Sequence, residues 1–97
     1  MLYILITYDI NTTSLNGQAR LRKVAKVCIN YGQRVQNSVF ECKVNEAQYR
    51  ELQHKLLKII DKNVDSLRFY RLGENYDKKV KHIGAKQTYK VDDPMIL

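Results

Sequence analysis

The sequence predicts a domain of the α+β class, an antiparallel sheet with two helices on one face, in the order βαββαβ. Three observations predict it. The run Leu2-Tyr3-Ile4-Leu5-Ile6-Thr7-Tyr8 is apolar or aromatic at nearly every position and leads directly into Asp9. Two stretches, around Leu21–Cys28 and Tyr49–Ile60, repeat apolar residues at helical spacing. Two further stretches, Gln33–Val44 and Asp65–Leu72, interleave apolar and polar residues as strands do.

The first run is expected to be a central strand. A strand with one wet face alternates apolar and polar residues, whereas one covered on both faces is apolar throughout. Alternation places Leu2, Ile4, Ile6 and Tyr8 on one face and Tyr3, Leu5, Thr7 and Asp9 on the other. Asp9, the only carboxylate among the first forty residues, emerges where the sheet meets solvent. The loop Ile10–Ser14 is rich in turn and capping residues. Asn16 or Gly17 opens the first helix, with Leu21, Val24, Ala25 and Cys28 as one apolar stripe extended by Tyr31, and Gly32 is placed as its C-terminal cap. Arg22, Lys23 and Lys26 lie off the stripe. Gln33–Val44 reads as the second strand and a strand-like continuation, its imperfect alternation explained by a bulge near Asn37-Ser38 or by burial of both faces near the end. Asn45-Glu46-Ala47-Gln48 resembles a capping box and starts the second helix, whose inner face is Tyr49, Leu52, Leu56, Ile59 and Ile60. Asp65–Leu72 is the third strand, Gly73-Glu74-Asn75 a turn, and Val80–Ile83 a short further strand. The apolar ending Met95-Ile96-Leu97 follows a polar linker and is expected to dock. Together these elements fit a ferredoxin-like arrangement over residues 1–97, with 85–97 a docking tail. The sheet face without helices needs a cover, and a second copy would supply it.

A chain of 97 residues forms one domain with a modest core. No run approaches the length of a membrane span and no secretory leader is evident, so no membrane association is expected. Cys28 and Cys42 form neither a disulfide framework nor a ligand cluster, which agrees with a reducing cytoplasm. The net charge of +7 is unevenly spread. Leu15–Phe40 holds Arg20, Arg22, Lys23, Lys26 and Arg34 with no acid, and Arg68–Lys90 holds seven basic residues against Glu74 and Asp77. The intervening stretch is balanced. Two basic blocks of this kind point to a polyanion as partner; a solvated surface that keeps the protein soluble is the plainer alternative.

The assembled motifs resemble the CRISPR-associated protein 2 family, the small partner of the CRISPR integrase in spacer acquisition. Leu5-Ile6-Thr7-Tyr8-Asp9-Ile10 is similar to the family's first-strand signature. The run from Gly32 to Cys42 is similar to its second, and Arg68-Phe69-Tyr70-Arg71-Leu72-Gly73 to its third. The segment His82–Lys86 and Asp93-Pro94 further resemble the branch that accompanies type I-C systems. The resemblance implies a homodimer in which the C-terminal segment joins the partner subunit's sheet. It implies that Asp9, paired across the dimer, holds one divalent metal, Mg2+, for endonuclease cleavage of double-stranded DNA or RNA. It also implies a structural role as a DNA-binding bridge between integrase subunits.

On this reading Asp9 is catalytic and metal-binding, with Tyr8 placed to support it. Arg34, Arg68 and Arg71 are suited to hold phosphate by forked contacts, and Arg20, Arg22, Lys23 and Lys26 to follow the flanking backbone. Other readings stand beside it. An Asp after a strand commonly caps the next loop, and one carboxylate per chain is a sparse metal site. An enzyme, a non-catalytic DNA scaffold and a toxin-like endoribonuclease of the same fold are therefore all carried forward.

Overall fold

The computed structural model describes residues 1–73 together with Lys81 and Ile83. Its elements are β1 (Leu2–Asp9), α1 (Gly17–Ile29), β2 (Gly32–Gln36), β3 (Val39–Val44), α2 (Glu46–Ile59) and β4 (Ser66–Leu72). The order is βαββαβ, and the four strands form one antiparallel sheet ordered β2-β3-β1-β4. The expected short strand at Val80–Ile83, the turn at Gly73–Asn75 and the tail 85–97 lie largely or wholly outside the described residues.

β1 is central, as its apolar run requires. It pairs with β3 from Leu2↔Val44 to Thr7↔Val39 and with β4 from Tyr3↔Leu72 to Asp9↔Ser66. One face of the sheet carries the core. Ile4, Ile6 and Tyr8 of β1 and Phe40, Cys42 and Val44 of β3 pack against Val24 and Cys28 of α1 and Leu52 and Leu56 of α2. Both helices therefore lie on that face. The other face of β1, expected to be covered as well, is half-buried at Tyr3, Leu5 and Thr7 in the single chain.

The chain departs from the sequence-based expectation at two places. Asn37-Ser38 is not a bulge but the connection of a hairpin, in which the second strand and its continuation are β2 and β3. An irregularity does occur, between Arg34 and Gln36. Gly32 is not a helix cap. α1 ends at Ile29 with Asn30 as its cap, and Gly32 is the first residue of β2. A Cβ at Gly32 would stand 2.2 Å from the Glu41 carbonyl oxygen and 2.6 Å from Cys42 Sγ. Glycine is needed there for close strand approach rather than for a left-handed turn.

The helix starts differ in kind. α2 has the capping box its sequence signals: Asn45 Oδ1 accepts from Gln48 N at 2.8 Å and Gln48 Oε1 accepts from Asn45 N at 2.9 Å. α1 has no side-chain cap, and Asn16 before it adopts φ 61°. Gly17 lies so close to the preceding loop that a Cβ would meet the Asn11 carbonyl oxygen at 2.1 Å. The β1–α1 loop is thus pressed against the beginning of α1.

Candidate functional site

Asp9 closes β1 on the sheet face that carries no helix, and its side chain is exposed. Among the described residues no group donates a hydrogen bond to its carboxylate, so it does not cap the following loop. Ser66 is its partner across the sheet, and Thr7 faces Arg68 one pair further in. Asp9 and Arg68 are therefore diagonal neighbours on one face. With Thr7, Tyr8, Ser66 and Leu67 they line a shallow depression at the strand ends. Arg68 Nη1 donates to the Tyr70 hydroxyl at 3.0 Å. An exposed carboxylate beside an arginine, on a rigid strand, can offer oxygen ligands to a cation and hold a phosphate next to it.

Among the described residues no three His, Cys, Asp or Glu side chains converge on a point. Among the described residues lining the depression, Asp9 is the one carboxylate. A carboxylate with water ligands is a donor set that Mg2+ accepts.

Tyr8 points the other way. It is 5% exposed on the helix-covered face, stacked on Phe40 with ring centroids 6.1 Å apart, and its hydroxyl donates to the Asn37 carbonyl at 3.3 Å. Burial lifts its hydroxyl above the ordinary tyrosine value, and the nearby Arg34 guanidinium opposes that only in part. Its side chain does not meet the Asp9 carboxylate, because consecutive strand residues face opposite sides.

The cations divide into separate places. Arg22 of α1 and Arg34 of β2 line one hollow with Tyr8, Leu21, Asn37 and Ser38. The Arg34 guanidinium lies 5.1 Å from the Phe40 ring centroid. Lys23 faces a second hollow, near Leu15 and Lys58, and Lys26 stands exposed in the last turn of α1. Arg71 is on the helix side of β4, where Nη2 donates to Glu46 Oε1 at 2.6 Å. Of these expected contacts, Arg68 shares the open face with Asp9; Lys43, paired with Tyr3 and 5.5 Å from its ring centroid, stands on that face too.

Arg20 is committed inside the molecule. Its Nε donates to Asp65 Oδ2 at 2.7 Å and its Nη2 to Asp65 Oδ1 at 3.3 Å. Nη2 also reaches Ser14 Oγ at 2.7 Å and the Asn11 carbonyl at 3.4 Å, while Nη1 donates to the Leu15 carbonyl at 2.7 Å. Asp65, with a fully buried side chain, additionally accepts from Asn11 N at 2.9 Å and from Asp61 N at 2.8 Å. The Arg20 guanidinium, reinforced by these backbone donors, lowers the Asp65 carboxyl to about 2. Sequence reasoning took Asp65 only as the start of a strand. Its local partner is the Asp61 N–H, but Arg20 and Asn11, which set its role, lie 45 and 54 residues away.

A family model described as CRISPR associated protein Cas2 matches residues 1–80. The chain is 59% identical over 93 residues to a protein of Halalkalibacterium halodurans named CRISPR-associated endonuclease Cas2, covering 96% of this chain and 97% of that one. It is 54% identical over 96 residues to one of Moorella thermoacetica named CRISPR-associated endoribonuclease Cas2 1, covering 99% and 100%. Among solved structures, Streptococcus pyogenes Cas2 at pH 6.5 superposes with a TM-score of 0.77 and 52% identity, over 84% of this chain and 99% of that one. A chain of a partial Cas6-RT-Cas1–Cas2 complex gives a TM-score of 0.66 at 29% identity, over 86% and 91%. Sequence and architecture agree along the same residues that present Asp9, and the chain belongs to the CRISPR-associated protein Cas2 family.

Proposed function

We propose that this protein serves CRISPR spacer acquisition as a homodimeric, Mg2+-dependent endonuclease acting on double-stranded DNA or RNA, with Asp9 of each subunit as the metal ligand. One observation carries the reading: the Asp9 carboxylate stands exposed at the end of the central strand, on the sheet face without a helix, with no hydrogen-bond donor to it among the described residues. The names endonuclease and endoribonuclease borne by the relatives support a phosphodiesterase. A second copy laid on the open face would cover Tyr3, Leu5 and Thr7 and turn two half-sites towards each other. Joining of residues 85–97 to the partner subunit's sheet is part of this proposal, as is the type I-C branch.

When bound, Mg2+ would offset the charge that develops on the phosphoryl oxygens and lower the pKa of a water ligand. The two Asp9 carboxylates would hold it, and Arg68 beside them would hold the scissile phosphate. Arg22 and Arg34, with Lys23 and Lys26 along α1, would follow the backbone further out without reading sequence. No helix among the described residues is long and apolar enough to cross a membrane, and we place the protein in the cytoplasm with its nucleic acid.

The test is metal-dependent cleavage of duplex DNA and single-stranded RNA by wild type and Asp9→Asn. Cleavage should require Mg2+ and vanish in the variant while dimerisation and duplex binding persist. Cleavage that survives Asp9→Asn would refute the metal assignment.

A second reading is favoured by the lack of a cluster of three metal-ligating side chains among the described residues and by the likeness to a chain of a partial Cas6-RT-Cas1–Cas2 complex. In it the protein is a non-cleaving scaffold that carries DNA to an integrase. Wild type that binds duplex and integrase but cleaves neither substrate would select it.

A further inference from the structure

Asp65 and Arg20 touch neither Asp9 nor its depression, yet they fix both chain segments that carry it. Asp65 directly precedes Ser66, the residue paired with Asp9 across the sheet. Its Oδ1 accepts from the backbone N–H of Asn11, two residues beyond Asp9. Its Oδ2 accepts from Arg20, whose remaining contacts gather Asn11, Ser14 and Leu15 of the β1–α1 loop. The loop is closed from the other side by Gly17, which leaves no room at the Asn11 carbonyl. The strand end bearing Asp9 is thereby held on its own chain and across the sheet by one buried carboxylate.

We infer that Asp65, acting through Arg20 and Asn11, is a positioning residue that holds Asp9 in its working direction on the open sheet face. The inference rests on the reading of Asp9 as metal ligand. It also gives Arg20 a role other than phosphate contact. All but one of the N–H donors of its guanidinium already have partners inside the chain. A site held by rigid neighbours loses function steeply when that support loosens.

The sign of the charge separates positioning from electrostatics. Asp65→Asn removes a negative charge from a basic protein, so a purely electrostatic role predicts equal or tighter binding of a polyanion and no loss of rate. In addition, an amide nitrogen in place of one carboxylate oxygen would face donors only: either the Asn11 N–H and an Arg20 Nη2–H, or the Arg20 Nε–H and Asp61 N–H.

The experiment compares wild type, Asp9→Asn, Asp65→Asn and Arg20→Lys as full chains. Mn2+ alone is used as the binding probe, and kcat and KM are measured on duplex DNA below the melting temperature of each variant. Positioning predicts that Asp65→Asn lowers kcat and weakens Mn2+ binding, each by about 10- to 100-fold, as loss of outer supporting partners does elsewhere, with KM unchanged or lower. Arg20→Lys keeps the charge but not the fork, and should fall between. It carries the test if Asp65→Asn does not fold. Wild-type values in the folded variants, or a raised KM with unchanged kcat in Arg20→Lys, would overturn the inference. Cleavage and Mn2+ binding that persist in Asp9→Asn, or a wild type showing neither, would remove the Asp9 reading and this one with it. If Mn2+ binds without cleavage, the affinities alone decide.

Discussion

Replacing Asp65 by Asn should cost stability in a pH-dependent way. In the folded chain this carboxyl titrates at about 2 rather than at 3.8, chiefly because of its hydrogen bond from Arg20. Each pH unit of displacement is worth about 1.36 kcal/mol, which sets a ceiling of about 2.4 kcal/mol at neutral pH. Arg20 keeps 12% of its side chain in solvent, and screening at the surface brings the figure to about 1–2 kcal/mol. The lowered carboxyl stabilises the fold fully above the unfolded value near 4, and the contribution fades as pH falls towards 2. Urea unfolding at fixed protein concentration, followed by circular dichroism or by the seven tyrosines of this tryptophan-free chain, measures it. With a slope of about 1 kcal/mol per molar urea for a small domain, the midpoint of Asp65→Asn should lie about 1–2 M below wild type at pH 7. The gap should narrow by a similar amount at pH 2. A gap of equal size at both pH values would refute the assignment of this stability to the Asp65 charge. No gap at pH 7 would refute the clamp itself.

Other expectations follow from packing and capping. Asn45→Ala should lose about 1 kcal/mol in the same urea assay, because the Gln48 N–H loses the side-chain oxygen that caps it; an unchanged midpoint would contradict it. Gly32→Ala should cost about 1–3 kcal/mol through collision with the Glu41 carbonyl and Cys42, and a neutral result would mean that the hairpin moves freely. Cys28 and Cys42 are buried thiols raised to about 12 by desolvation. A thiol reagent at pH 8 should therefore label both only after unfolding, and fast labelling of the native protein would count against the packed core. Arg71→Ala should change stability by less than about 0.5 kcal/mol, since its pair with Glu46 is more than half exposed on both sides.

Elements with local causes were legible in the sequence. The apolar run at 2–8 marks a central strand, Asn45 to Gln48 marks a helix start, and the apolar stripes mark the inner faces of both helices. The family resemblance agreed with all of them. The turn at Asn37-Ser38 was not legible, because no glycine interrupts the run, so the second strand and its continuation carried no sign of where they part. Gly32 was misplaced because glycine after a helix commonly serves as a cap. Here the demand comes from the neighbouring strand, which no local pattern reveals. At the site, alternation puts Asp9 at the solvent edge and Tyr8 on the opposite face. The cations were legible as charge but not as place. Arg20, Arg22 and Arg34 are alike in composition, but one is bonded inside the fold and two face a hollow. The difference is made by Asp65, which meets Arg20 only once β4 lies beside β1.

That distant meeting governs when the site comes into being. β1 is made well before its β4 partners, which run from 66 to 72, with separations up to the Tyr3↔Leu72 pair. At synthesis rates of about 5–20 residues per second, the first strand waits several seconds for that neighbour. Until then its apolar edge needs shelter from other nascent chains, and the earlier hairpin, through β3, can cover one edge but not the other. A chain halted before Ser66 would carry Asp9 on an unframed strand. The frame around Asp9 thus exists only in molecules in which β4 has been made and laid beside β1.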